Sequence, residues 1–192
     1  AYQETDKQSS PIAITGRMTF LPLKNNIYSL HLGSAATHRD LKGELFQFKE
    51  KAEVNSADNV VRSARYYADS MTLLQLETAF LCHSIRFQAE WTEARVKQQD
   101  GEIWRYSGQY IQASYLLGGE HYRYKKDKIS AVRPNSVYGT LEFVTRLSQL
   151  NLRDHNIGST TLTGLFGVNY YLNKNLRLMG NLLIPTISGN TV

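Results

Sequence analysis

Along most of the chain apolar and polar residues alternate one by one, without the three-and-four rhythm of a helix. In 12–21, IAITGRMTFL, Ile12, Ile14, Met18 and Phe20 fall on one face and Ala13, Thr15, Arg17 and Thr19 on the other. Period two over this length predicts a β-strand. PLKNN (22–26) reads as a turn, and 27–39 sets Tyr28, Leu30 and Leu32 against Ser29, His31, Gly33, Ala35, Thr37 and Arg39. The clearest alternation is 85–96, where Ile85, Phe87, Ala89 and Trp91 interleave with Arg86, Gln88, Glu90 and Thr92. A helix would scatter those charges around every side. The same reading predicts strands over 71–81, 105–117, 137–152, 160–172 and 176–184, with CHS, KQQDGE, DHNIGS and NKN between neighbours and the polar PTISGNTV after the last. Residues 1–11 read as a polar lead-in. The stretch 40–69 stays open: LFQFKEK (45–51) and VVRSARYY (60–67) are either two short strands or extensions of their neighbours around a polar AEVNSADN loop.

The two faces differ in an informative way. One is bulky and apolar. The other holds Gly, Ser, Thr, Asn, Gln, Glu and Arg, where a soluble sandwich or small barrel would pack large apolar groups. No helix is available to cover the apolar side. Oil outside and water inside explains this pattern, and in hydrocarbon a sheet must close so that every backbone amide is paired. The expected fold is therefore all-β: an antiparallel transmembrane β-barrel, about eight strands of which lie in this chain, each of roughly ten residues, the length that spans a bilayer at barrel tilt. A soluble β-barrel binding protein is the alternative.

Composition agrees. The 192 residues suit a single domain, and with 42% apolar residues and a mean hydropathy of -0.39 the chain has no run long enough for a membrane helix. An alternating barrel keeps its mean hydropathy low. Twelve tyrosines against only four prolines favour strands. The net charge of +5 reads either as a basic solvated surface or as the mark of an anionic partner, whether nucleic acid, lipid headgroups or a small anion; for a membrane barrel no nucleic acid is expected. The single cysteine, Cys82, excludes an internal disulfide and reads as a small apolar residue at a strand end. There is no zinc-type spacing of Cys and His, so no metal or cofactor is expected. His31, His38, His83, His121 and His155 are scattered and no nucleophile-elbow motif occurs, so catalysis is not expected.

Short turns of outer-membrane barrels face the periplasm. With PLKNN, CHS and NKN as the short turns, 12–21 runs inwards, 176–184 runs outwards, and the long basic connection 118–136 is periplasmic by parity. Both ends of the chain then fall on the outer side. The expectation is a partial barrel, lacking N-terminal strands and the last strand. The polar start AYQETDKQSSP carries no signal peptide, as expected of a processed chain or one whose start is missing.

The segments ITGRMTFLP (14–22), LHLGSAATHRD (30–40), GQYIQASYLLGGEHYRYKK (108–126), GTLEFVTRLSQLNL (139–152) and FGVNYYLNKNLRLMGN (166–181) resemble, in order, the C-terminal half of the phosphate-selective porin O/P family. The resemblance implies a 16-stranded barrel assembled as a homotrimer in the outer membrane of a Gram-negative bacterium, in contact with membrane lipid and lipopolysaccharide, and a water-filled channel for phosphate, polyphosphate-like or other small anions. It implies segments that fold into the lumen and a ladder of arginines and lysines that guides anions. On this resemblance 118–136 is an inward-folding periplasmic turn whose Arg123, Lys125, Lys126, Lys128 and Arg133 form a basic patch near the pore exit. A structural or adhesive barrel without specific transport is the competing function.

The groups that alternation sends to the water side are Arg17, His31, Arg39, Arg86, Arg146 and Arg177, the candidate pore-lining and anion-binding residues. Glu77, Glu90 and Glu142 share that side and can neutralise some of them. Arg86 and Arg146 have acids nearby and are expected to be paired. Arg17 and Arg177 have none on their own strands and are expected to stand free.

Overall fold

The computed structural model of the chain describes residues 12–25, 27–51, 61–125 and 128–190. The expectations for 1–11, for AEVNSADN (52–59) and for Lys126 fall outside these residues. Twelve strands follow in order: β1 (Ala13–Lys24), β2 (Tyr28–Phe46), β3 (Lys49–Glu50), β4 (Val61–Arg62), β5 (Tyr66–Cys82), β6 (Ile85–Gln98), β7 (Ile103–Leu117), β8 (Tyr124–Lys125), β9 (Lys128–Ile129), β10 (Thr140–Asn151), β11 (Gly158–Tyr171) and β12 (Arg177–Asn190). The eight long ones form one antiparallel sheet in the order β1-β2-β5-β6-β7-β10-β11-β12, and the short ones pair as β3-β4 and β8-β9. The stretch left open by the sequence thus resolves both ways. Leu45 and Phe46 extend β2, Tyr66 opens β5, and a two-strand pair outside the main sheet lies between them.

Three of the turns have a clear local cause. Asn25 Oδ1 accepts the backbone N–H groups of Ile27 and Tyr28, both at 2.8 Å, and Asn173 Oδ1 does the same for Asn175 at 2.8 Å and Leu176 at 3.0 Å. A short Asx side chain that mimics a backbone carbonyl closes a turn in this way. KQQDGE is tighter than a loop: Gly101 takes φ 92° and Gln98 N–H donates to Glu102 O at 2.8 Å, so β6 and β7 run almost into each other. Two other expected boundaries move. β1 continues past Phe20 through a bulge at Leu21 and Pro22, and β12 continues through Pro185 to Asn190. Both prolines lie in strands that have one sheet neighbour among the described residues, where a missing N–H is tolerated.

Directly paired residues share a face, so the register carries the alternation across the sheet. Leu32, Thr78, Ala89, Ile111 and Leu147 form one outward row, and Gly33, Glu77, Glu90, Tyr110 and Ser148 the neighbouring inward row. Outward apolar groups such as Ile14, Met18, Phe20, Leu76, Phe87, Ile111, Phe166 and Leu182 are exposed. On β5 the apolar outward stretch runs from Leu74 to Cys82, about 26 Å along the strand at ~3.3 Å per residue. Beyond it, at one end only, the outward positions turn polar: His38 on β2, Thr72 on β5, Glu93, Arg95 and Lys97 on β6, and Arg105 on β7.

The inward face is not uniformly hydrophilic. At each end a connection folds against it and builds a small core. At the polar-overhang end, Phe46, Val61, Tyr66, Met71, Val96, Trp104, Tyr106 and Leu152 are buried together, with Phe48 edge-on to Phe46 at 4.8 Å. The β3-β4 pair reaches across to β11, where Arg62 N–H donates to Ser159 Oγ at 2.8 Å. At the other end, Tyr122 from the β7–β10 connection packs with Leu81, Leu116 and Tyr171.

The assignment of faces has a direct test. Phe87→Arg places a charge in the middle of the apolar face and should cost about 2–4 kcal/mol when the protein is unfolded from lipid bilayers. Gln88→Arg, one residue on and facing inwards, should cost far less. Equal penalties would show that the faces are misassigned.

Candidate functional site

Three acidic residues organise the inward face. The first is Glu77. Arg17 of β1 bonds its Oε1, and His31 Nε2 of β2 lies 2.9 Å from the same oxygen. Arg17 and Glu77 are two strands apart, and the space between them belongs to Gly33, which is directly opposite Glu77. A Cβ at Gly33 would lie only 2.6 Å from Glu77 Cγ, so glycine lets the carboxylate lean over β2 towards the arginine. The other ring nitrogen of His31 meets the Tyr124 hydroxyl at 2.7 Å, which ties the β7–β10 connection to this chain of groups.

The second is Glu142, almost completely buried on β10. Tyr122 and Tyr171 hydroxyls donate to it at 2.6 and 2.7 Å, Asn169 Nδ2 at 2.8 Å and Arg86 Nη2 at 3.0 Å. Arg86 crosses β7 to reach it, with Ser114 Oγ accepting its Nε–H at 2.8 Å on the way, and its guanidinium lies 4.8 Å from the centre of the Tyr122 ring. Four donors on one carboxylate are what a buried charge requires. Because Tyr122 is one of them, Glu142 also holds the connection down.

The third, Glu120, lies in that connection. Burial raises the pKa of its carboxyl, but the Thr140 hydroxyl and the backbone N–H of Asn135 and its neighbours more than compensate, and the pKa is lowered overall. Burial and the bond to Glu142 push the Tyr122 hydroxyl pKa up. Ser84 Oγ donates to Glu120 O at 2.5 Å and Tyr122 N–H to His83 O at 2.9 Å, so the connection bends inwards over the turn between β5 and β6.

The register puts all six candidate lumen residues, Arg17, His31, Arg39, Arg86, Arg146 and Arg177, on the inward face. Their partners differ from expectation for two of them. Arg17 does not stand free, since Glu77 reaches it from two strands away. Arg146 is not paired. Among the described residues no carboxylate contacts it; its guanidinium lies 3.8 Å over the Tyr110 ring, and its Nε is buried without a hydrogen-bond partner. Of the two acids expected to pair with Arg86 and Arg146, Glu142 takes Arg86, and Glu90 accepts the Tyr110 hydroxyl at 2.6 Å. Arg177 leans on Tyr171, 5.6 Å from the ring centre.

Of the basic turn, Arg123, Lys125, Lys128 and Arg133 are exposed. Arg123, Lys125 and Arg133 border a cavity of about 480 Å³ between the infolded connection and the β1–β2 hairpin; Lys128 does not line it. Lys24 lines it too, a cation the sequence reading had assigned to a turn. Its signal was the inward parity of Ser29, its cross-strand partner. A second cavity, about 330 Å³, lies beneath the β3-β4 pair with Arg146, Tyr110, Thr161, Thr163, Glu50 and Glu90 in its walls. No group of three or more metal-type ligands occurs among the described residues.

An antiparallel wall with an apolar outside, and an inside where arginines and infolded connections meet, has the two-faced pattern of a transmembrane β-barrel. The model of the family "Phosphate-selective porin O and P" matches residues 1–185, and the chain belongs to that family, whose members are outer-membrane porins of Gram-negative bacteria. A search of curated proteins found no match.

Three outcomes test this geometry. Gly33→Val should displace Glu77 and destabilise the protein by about 1–3 kcal/mol, and most of that cost should vanish in a Glu77→Ala background; equal costs in both would disconnect Gly33 from Glu77. Glu142→Ala leaves four donors facing nothing. It should cost about 3–5 kcal/mol and expose 123–133 to proteolysis, and an unchanged digestion pattern would contradict the holding role. A carboxyl whose folded pKa is depressed stabilises above its unfolded value and loses that contribution as pH falls through the folded one. Docking of the connection should therefore weaken below about pH 4, and Glu120→Gln should remove part of that acid dependence. A Glu120→Gln acid profile identical to wild type would exclude Glu120 as its source.

Proposed function

We propose that this chain forms part of the wall of an outer-membrane porin that conducts small anions, phosphate and polyphosphate-like solutes among them. The observation that carries the reading is the charge left over on the inward face. Glu77 and Glu142 offset Arg17 and Arg86, while Arg146 has no carboxylate contact among the described residues and Lys24, Arg123, Lys125 and Arg133 line one cavity against the single carboxylate of Glu120. Cations in a narrow space with low-dielectric walls lower the barrier for anions and raise it for cations. Arginine adds a fork of donors that suits phosphate oxygens.

On this reading Arg146, held flat by Tyr110, is an anion contact inside the channel. The cavity around Lys24 gathers or releases anions at the periplasmic mouth. Arg86 and Arg17 serve chiefly to hold the infolded connection. β1 and β12 each have one sheet neighbour among the described residues. An unpaired edge in hydrocarbon is costly, so further strands complete the wall, in a 16-stranded barrel assembled as a homotrimer and bathed by lipid and lipopolysaccharide.

The full-length protein in planar bilayers under a salt gradient should give a reversal potential of the sign expected for anion selectivity, and phosphate should reduce its chloride current. Arg146→Glu should move the potential severalfold towards cation permeability. Cation selectivity of the wild type, or an Arg146→Glu potential identical to it, would overturn the proposal.

A further inference from the structure

Above the apolar belt, the outward faces of β6 and β7 place two like charges opposite each other: Arg95 pairs in register with Arg105. Both are exposed. Like charges directly opposed on one face of a sheet are destabilising, and among the described residues only one of them is offset by a carboxylate. Arg95 Nε donates to Glu93 Oε1 at 2.5 Å. Asp154 is engaged with the backbone N–H of Arg105, at 2.7 Å, and among the described residues no carboxylate contacts the Arg105 guanidinium. Lys97 is one outward position further along β6, and His38 and Thr72 continue the Arg95 row onto β2 and β5.

Below the pair, past the row where Glu93 opposes Ser107, the same two strands carry a depression in the apolar surface. Trp91 opposes Gln109, then Ala89 opposes Ile111, then Phe87 opposes Ala113. The small side chains Ala89 and Ala113 leave room. A groove of about 680 Å³ lies around Trp91, Ala89, Ile111 and Leu76, and a second of about 420 Å³ continues from Ala89 and Ile111 to Ala113 and Phe87. From Arg95 to Ala89 is about 20 Å along the strand, the scale of an acyl chain below its headgroup.

We propose that this outward face of β6 and β7 holds an anionic, phosphate-bearing lipid of the outer leaflet, with its headgroup phosphate on Arg95 and Arg105 and an acyl chain in the groove above Ala89 and Ala113. The proposal rests on the membrane-wall reading and not on the solute that crosses. Guanidinium groups match phosphate oxygens in a bidentate fork. An apolar groove alone would accept any lipid tail or a second copy of the chain; the opposed arginines at its top select the phosphorylated lipid.

The test uses the full-length protein purified in a neutral detergent, with native mass spectrometry and thermal unfolding as readouts. The probes are diphosphorylated lipid A, phosphatidylethanolamine and inorganic phosphate. Wild type should retain lipid A and unfold at a higher temperature in its presence. Arg95→Gln combined with Arg105→Gln should weaken retention about tenfold or more, and Ala89→Leu, which fills the groove, should weaken it with the arginines intact. Equal retention of phosphatidylethanolamine, the same thermal shift with inorganic phosphate alone, or a change of oligomeric state in Ala89→Leu with lipid retention untouched would each overturn the proposal, the last by making this face a subunit contact. Conduction by the wild type is scored separately. A protein that retains lipid A but carries no anion current removes the channel reading and leaves this site standing, and the converse removes only the site.

Discussion

A strand that crosses hydrocarbon must satisfy every backbone amide on its neighbours, because nothing else in that medium accepts or donates a hydrogen bond. The rest of the architecture depends on that constraint. It fixes an antiparallel ladder as the wall, and the ladder fixes two faces with a period of two. Long registered pairings from β1 through β12 turn local alternation into rows that run across the sheet. Outward rows are mainly apolar where lipid would lie, with Ser34, Thr78, Gln109 and Gln149 among them, and become charged beyond it. Inward rows, between the two small cores at the ends, are freed from core packing and can carry ionisable groups.

Carboxylates on the inward face do two things at once. They neutralise some arginines, and they fasten a connection that would otherwise float. Glu142 takes donors from β6, β11 and the β7–β10 connection, and Glu77 takes them from β1 and β2, with His31 passing the tie on to Tyr124. The charges left for a solute are therefore those outside these two hubs. Arg146 is held by the face of Tyr110, an arrangement that positions a cation without cancelling it.

The faces of the eight long strands were legible in the sequence, because period two is a local property and the exposed apolar residues Ile14, Leu76, Phe87, Phe166 and Leu182 follow it. What escaped was non-local. The pairing of Arg17 with Glu77 depends on Gly33 in the intervening strand, and nothing on β1 announces it. Arg146 was expected to be paired because acids lie near it on the inward face, but Glu142 on its own strand is taken by Arg86, Tyr122, Asn169 and Tyr171, and Tyr110 meets both Glu90 and Arg146. The end of β12 was hidden because Pro185 and the polar residues after it resemble a loop, although the strand needs only one neighbour there. The apolar inward residues Met71, Val96 and Trp104 are covered by the connection that carries the β3-β4 pair, and a two-residue strand leaves no periodic trace.

The central claim is that one face of this sheet meets lipid and the other meets water. Single cysteines placed along β6 at Phe87, Gln88, Ala89 and Thr92, in a Cys82→Ser background and in the full-length protein reconstituted into vesicles, test it directly. Positions 88 and 92 should react with a charged, water-soluble thiol reagent, while 87 and 89 should be reached only by a lipid-soluble one. Uniform labelling of all four by the charged reagent would contradict the account.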